Sequence, residues 1–297
     1  MGLSSGVLEL GRAALDVLYP PLCWLCGQDA LRCDFGHASG CETHVLPDGP
    51  PGVRCPICAL EMAPSLAGAE RCAACRRESF GLERLIVLGD YRRQPQLREW
   101  VLAFKHGGRP ELARPLAAAL ARRVRTLLPE AGRGNLLVPV PLHRWRRVER
   151  GYDQSARLGS ELAEALGWNC ARALARTRPT VVQGTAGATS RSANVRGAFG
   201  PERWRPLARR AVAEAERVWI VDDVVTSGAT LRECARALRR LGARHVSALA
   251  LARASSRSAG GDALETTELE DEPALSIETS SREALSSRGA SLASGGG

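Results

Sequence analysis

Val218-Trp219-Ile220-Val221-Asp222-Asp223-Val224-Val225-Thr226-Ser227-Gly228-Ala229-Thr230-Leu231 is an apolar run that ends in two carboxylates and then a short hydroxyl and glycine loop. Residues 218 to 221 have the β-branched, apolar character of a strand buried on both faces, and Thr230 to Leu241 carries Ala and Leu at helical spacing. The loop between them therefore opens a helix. Backbone N–H groups at a helix start lack partners and the dipole there favours an anion, so Thr226, Ser227, Gly228, Ala229 and Thr230 can wrap a phosphate. Gly228 lets the backbone come close. Asp222 and Asp223 stand at the carboxyl end of the strand, where open α/β sheets bind ligands, and can accept hydrogen bonds from adjacent sugar hydroxyls.

A plain strand followed by an N-capped helix would call for one polar residue and not for two consecutive acids. The segment lacks the lysine of a G-x-x-x-x-G-K-[ST] loop and the pattern G-x-G-x-x-G, which removes the corresponding NTP and dinucleotide readings. It resembles the phosphoribosyl pyrophosphate (PRPP) motif of type I phosphoribosyltransferases.

The 297 residues have room for one substantial domain and a smaller one, and 44% apolar content is ordinary for a globular chain. No stretch approaches the ~18 uninterrupted apolar residues of a membrane span. Residues 1 to 19 carry Glu9, Arg12 and Asp16 without a basic start, which argues against a secretory signal; they read as an amphipathic helix stopped by Pro20-Pro21, and a cytoplasmic location is expected. The net charge of +9 conceals an asymmetry: residues 255 to 297 hold eight acids and three bases, leaving +14 on the rest. A body this basic attracts polyanions, either nucleic acid or a pyrophosphate-bearing metabolite. The tail, rich in Ser, Gly and Glu, reads as a disordered acidic extension. Of 41 Lys and Arg residues only Lys105 is lysine.

Four pairs of metal-type ligands, each with two residues between partners, precede residue 80: Cys23/Cys26, Cys41/His44, Cys55/Cys58 and Cys72/Cys75. Each pair can present both ligands from one tight turn to a tetrahedral zinc ion. Sequential pairing gives Cys23, Cys26, Cys41 and His44 as one site and Cys55, Cys58, Cys72 and Cys75 as the other, with a crossed arrangement open and Cys33 and His37 as substitutes in the first. Disulfides would not persist in the reducing compartment expected here. Four protein ligands leave no position for water, so the sites are read as structural. Cys170 and Cys234, isolated on apolar or helical stretches, read as core residues.

Between these poles lie a strand at Leu85 to Tyr91, a helix from Leu97 into Lys105-His106-Gly107-Gly108, a helix from Pro110 to about Leu128, and a buried strand, Leu136-Leu137-Val138-Pro139-Val140-Pro141-Leu142-His143-Arg144. After it come Arg144, Arg146, Arg147 and Arg150, bidentate donors suited to phosphate oxygens. With the cysteine block, Phe104-Lys105-His106-Gly107, Arg150-Gly151-Tyr152-Asp153-Gln154 and residues 176 to 199, the chain from about Leu15 to Arg253 resembles the ComF family, competence-associated proteins with a type I phosphoribosyltransferase domain behind a zinc finger.

That resemblance implies an α/β fold, a type I phosphoribosyltransferase-like parallel sheet flanked by helices and preceded by a small Cys-rich zinc-binding domain. The divisions are 1–80 for the N-terminal helix and double zinc finger, 81–254 for the phosphoribosyltransferase-like domain and 255–297 for the tail. It implies that PRPP binds with Mg2+, that Asp222, Asp223 and Lys105 serve catalysis, and that His143, Arg144 and Arg150 take the pyrophosphate. Thr180, Gln183, Arg191, Asn194 and Arg196 belong to a loop that closes over PRPP and excludes water. Asp153 departs from the usual asparagine and Ala186 from a common leucine; a carboxylate at 153 is expected to repel the ligand unless it faces Arg150 or magnesium. The implied reaction is displacement of pyrophosphate by a nitrogen nucleophile. The rival reading is a DNA-uptake factor that binds single-stranded DNA, or meets DNA-processing proteins, through its basic face; a third is a PRPP or nucleotide sensor.

Overall fold

The computed structural model describes residues 49–106, 108–132, 134–142, 151–177 and 195–254. Five strands in it form one sheet: β1 (Leu85–Asp90), β2 (Asn135–Pro139), β3 (Asn169–Cys170), β6 (Arg217–Val225) and β7 (Val246–Arg253). Their order is β1-β7-β6-β2-β3 and every pairing is parallel. All but the two-residue edge strand β3 are near-continuously hydrophobic because helices cover both faces. A short antiparallel pair, β4 (Leu174–Arg176) with β5 (Phe199–Pro201), stands apart from the sheet.

Alternation along each strand divides the core into two layers. Ile86, Leu88, Leu137, Trp219, Val221, Leu249 and Leu251 face one way, against α2 (Pro95–His106), α3 (Ala113–Leu127) and α4 (Gln154–Leu166). Val87, Val138, Val218, Ile220, Val246 and Ala248 face the other, against α6 (Ala229–Arg240), whose Leu231, Cys234, Ala235 and Leu238 form a buried stripe at i, i+3, i+4 and i+7. A short α1 (Ala73–Arg77) and α5 (Pro206–Glu214) complete the helices of the described residues.

The four cysteines at 55, 58, 72 and 75 belong to that second layer, in one apolar cluster with Leu85, Val87, Val225 and Leu231. Arg54 clamps this segment to β1 through a buried ion pair with Asp90, 3.0 Å long, and Leu85 N–H donates to the Pro56 carbonyl at 3.0 Å. No helix among the described residues is long and apolar enough to cross a membrane.

The connection from β2 through α4 leads outward to β3, while that from β6 through α6 leads in the opposite direction to β7. Strand order thus reverses between the neighbours β2 and β6, and the crevice beyond their carboxyl ends is where sheets of this kind place a ligand.

Candidate functional site

β6 is longer than its apolar core. It pairs with β7 as far as Val225↔Arg253, but with β2 only as far as Pro139↔Val221. Asp222 and Asp223 are therefore the first residues of β6 to stand past the end of β2, on the open side of the reversal point. Asp222 Oδ1 accepts from Asp223 N–H at 3.0 Å and Asp223 Oδ1 from Val224 N–H at 2.7 Å. Burial pushes the Asp222 carboxyl well above the usual carboxylate range, the neighbouring Asp223 adds to this, and the Lys105 ammonium opposes it.

The loop after β6 turns into α6 at Gly228, whose φ of 74° is left-handed; Gly228 itself offers no side-chain cap, and the Ser227 hydroxyl accepts from Ala229 N–H at 3.4 Å. Gly228 and Ala229 are buried and Ser227 is exposed. Three successive carbonyls of this loop point to one side. Arg253 Nη1 donates to Val225 O at 3.1 Å and to Thr226 O, and Arg232 Nη1 donates to Ser227 O at 3.3 Å.

Lys105 lies at the C-terminal end of α2, where a cation is favoured by the helix dipole. The segment entering α4 holds that end in place: the Tyr152 hydroxyl donates to Phe104 O and Gln154 Nε2 to Lys105 O at 3.1 Å. The rings of Phe104 and Tyr152 meet at 5.9 Å. Two separated sequence motifs are thus halves of one joint that carries the lone lysine toward Asp222.

Asp153 caps the helix that follows it. It has extended backbone at the N-cap of α4, and its carboxylate accepts from Ala156 N–H at 3.1 Å. An asparagine would cap equally well, so the replacement is a local choice of cap. Cys170 corrects the expectation of a core residue. Cys234 is buried as expected, whereas Cys170 is exposed because β3 is a two-residue edge strand. Its thiol, shielded where it leans on α4, is pushed up to about 11, away from a reactive thiolate.

Arg196 is exposed next to Gly197, whose N–H is bound by Glu233 of α6 at 2.9 Å. His143, Arg144, Arg150, Thr180, Gln183, Arg191 and Asn194 lie outside the described residues, as do Cys23, Cys26, Cys41, His44, the N-terminal helix and the acidic tail.

The sulfurs of Cys55, Cys58, Cys72 and Cys75 all lie within 4.8 Å of one another and are buried. Cys58 Sγ and Cys72 Sγ are 3.6 Å apart, close to the ~3.8 Å edge of a tetrahedron with zinc–sulfur bonds of about 2.3 Å. The backbone also serves the cluster, Cys72 N–H donating to Cys55 Sγ and Cys75 N–H to Cys72 Sγ, both at 3.4 Å. Left to themselves the thiols divide their protons unevenly: the bond with Cys58 draws Cys55 down to about 4, the same bond pushes Cys58 up, and burial pushes Cys75 up to about 12. A cation among the sulfurs removes that conflict, so the residues fit a metal such as zinc in the sequential pairing.

An open cavity of about 510 Å³ lies at the opposite, amino end of the sheet, among Leu128, Asn135, Arg217, Trp219 and His245. It contains none of the site residues. Sequence reading missed Phe80, Arg232 and Arg253 around the loop. The available signal was Arg253, a lone charge ending the run Val246-Ser247-Ala248-Leu249-Ala250-Leu251-Ala252.

A parallel sheet flanked by helices, with a strand–acid–loop–helix unit at its reversal point and a cysteine cluster before it, is the type I phosphoribosyltransferase-like architecture. The chain belongs to the ComF family. It is similar to DNA utilization protein YhgH of Escherichia coli (strain K12), 33% identical over 243 residues, 79% of this chain and 97% of that protein. The Salmonella typhimurium protein of the same name is 33% identical over 241 residues, with the same coverage of 79% and 97%. Competence protein F of Haemophilus influenzae is 31% identical over 198 residues, 63% of this chain and 80% of that one. No protein-family model matches the chain.

Proposed function

We propose that the chain binds PRPP with Mg2+ in the crevice beyond β2 and β6, within a phosphoribosyltransferase-like domain spanning 81–254. The observation that carries this reading is the aspartate pair standing past the end of β2 beside a helix start whose N-cap is a glycine. In it, the N–H groups of 226 to 230 hold the 5-phosphate, and Asp222 and Asp223 accept hydrogen bonds from the ribose hydroxyls. His143, Arg144 and Arg150 are assigned to the pyrophosphate, and Gln183, Arg191, Asn194 and Arg196 to a covering loop. Magnesium would supply charge neutralisation at the pyrophosphate. If a nitrogen nucleophile displaces that group, the carboxylates of Asp222 and Asp223 offset positive charge developing on the ribose, with Lys105 tuning Asp222. Calorimetry tests the binding step: wild type is expected to bind PRPP with Mg2+, and Asp222→Ala/Asp223→Ala to lose at least ~100-fold in affinity, since charged hydrogen-bonding partners contribute about 1.5–3 kcal/mol each. Equal affinity in the two proteins would dismiss it.

A second reading is that this family member handles DNA, as the names of its relatives suggest. The observation favouring it is Arg203-Trp204-Arg205, where Trp204 is 88% exposed and Leu207, one turn on, is 80% exposed. Arg203, Arg205 and Arg209 are exposed beside them. A bare indole between guanidiniums suits base stacking with phosphate contact. Binding to single-stranded oligonucleotide is expected to fall steeply with salt, and Trp204→Ala to weaken it at least ~5-fold, for a stacked base contributing about 1–3 kcal/mol. An unchanged isotherm for that variant sinks the assignment.

A further inference from the structure

Phe80 leaves the cysteine segment five residues after Cys75 and is buried in the same cluster as the four sulfurs, Val225 and Leu231. Its ring lies against Gly228, so closely that a Cβ built on that glycine would overlap it. Two guanidinium groups contact the ring, Arg232 at 5.7 Å and Arg253 at 5.8 Å from its centroid. These are the same two arginines that hold the carbonyls of Val225, Thr226 and Ser227. In a trans peptide the carbonyl and the following N–H point in opposite directions. Holding three carbonyls on the Phe80 side therefore turns the N–H groups of Thr226, Ser227 and Gly228 to the other side, together, as an anion-binding concavity requires.

Arg253 is only 3% exposed and its Nε has no hydrogen-bond partner among the described residues. A buried cation of this kind needs a counter-charge. Its guanidinium lies against the Phe80 ring, which shares one apolar cluster with the four sulfurs. A divalent ion held by four thiolates is net anionic, so the loaded cluster would supply that counter-charge. Arg239 Nη2 bonds Gly81 O at 2.9 Å, fixing the chain just beyond Phe80 to α6.

We infer that Phe80, Arg232 and Arg253 are positioning residues that connect the tetracysteine metal site to the 226–230 loop, setting its N–H groups for an anion before the ligand arrives. The cysteine segment is then part of the anion site's scaffold, and loss of its metal is felt at the loop. The clamp itself is a statement about loop order; its effect on affinity rests on the PRPP reading given above.

The test uses the full chain loaded with zinc, with two substitutions that leave the cysteines intact. Phe80→Leu keeps apolar bulk but offers no ring face; Arg253→Lys keeps charge but loses the fork. Amide 15N order parameters of Thr226, Ser227 and Gly228, measured without ligand, are expected to fall from the rigid range near 0.85 toward 0.6 in both variants, with zinc content and the order parameters of β7 unchanged. Wild-type values at the loop in both variants would overturn the clamp. Cys72→Ser, which removes one ligand, is expected to give the same loosened loop. A rigid loop in that variant would overturn the link to the metal, and if its sheet also loosens, Phe80→Leu and Arg253→Lys carry the decision. Titration with PRPP and Mg2+ is expected to show at least ~10-fold weaker binding in Phe80→Leu, because ordering the loop becomes part of the binding cost. Unchanged affinity beside a loosened loop would overturn the role in binding, and a wild type that does not bind PRPP would reject the ligand reading while the order parameters still decide the clamp.

Discussion

Asp222 is a carboxyl held in the wrong environment for its charge. Burial and the neighbouring Asp223 carboxylate raise its pKa, against the Asp223 N–H and the Lys105 ammonium. The folded state therefore binds the proton more tightly than the unfolded chain, and stability must fall as pH rises from the ordinary carboxylate range through the elevated value. Asp222→Asn removes the ionisable group from this balance. It is expected to raise Tm at neutral pH by at least ~2 °C, the shift that about 1 kcal/mol produces in a domain this size, with the gain shrinking as pH falls from the elevated value and gone by about 4. Thermal melts of both proteins across pH check this; a constant or inverted difference would refute the sign. Such a residue is kept at a cost in stability, as functional carboxylates often are.

At the scale of elements, the loop between β6 and α6 depends on one glycine for two reasons. Gly228 has positive φ, and its hydrogen faces the Phe80 ring. Gly167, the C-cap of α4, shares the positive φ but faces open space. Gly167→Ala is expected to cost about 1 kcal/mol, the left-handed penalty alone, and Gly228→Ala about 2 kcal/mol or more, since the ring or the loop must also move. Urea denaturation midpoints decide between them. The comparison shows where sequence suffices: apolar periodicity and a glycine at the helix start were enough to place β6, the loop and α6. It was also enough to group Cys55, Cys58, Cys72 and Cys75, because a two-residue spacing fixes ligand geometry locally. It did not find the N-cap role of Asp153, although an acid directly before a helical run is a local signal for one. Phe80 and Arg253 were out of reach because their partner, the loop, is remote in the chain and the interaction is a ring against backbone.

For the molecule as a whole, the cysteine segment and the sheet share one apolar layer, so the metal and the α/β core cannot be treated as separate stability problems. Structural zinc contributes about 10–16 kcal/mol of binding free energy in isolated finger peptides. Cys55→Ser is expected to lower the zinc bound per chain by one and to depress Tm by more than ~5 °C. Because thiolates must protonate to release the ion, acidification should release zinc and stability together. Zinc assay alongside melting checks both; loss of zinc without loss of Tm would show that the core stands unaided.

The sheet order has a bearing on how the chain comes to be folded as it is synthesised. β7 lies between β1 and β6, although β1 leaves the ribosome about 160 residues earlier. Until residues 246 to 253 emerge, β1 and β6 each lack a neighbour, and this long-range closure is a slow kind of step. The final residue of that last strand is Arg253. A nascent chain halted a few residues short would possess both aspartates and the whole glycine turn, yet lack the side chain that reaches about two-thirds of the way back along the sequence to Phe80, so the last strand of the sheet is also the last part of the loop's support to be made.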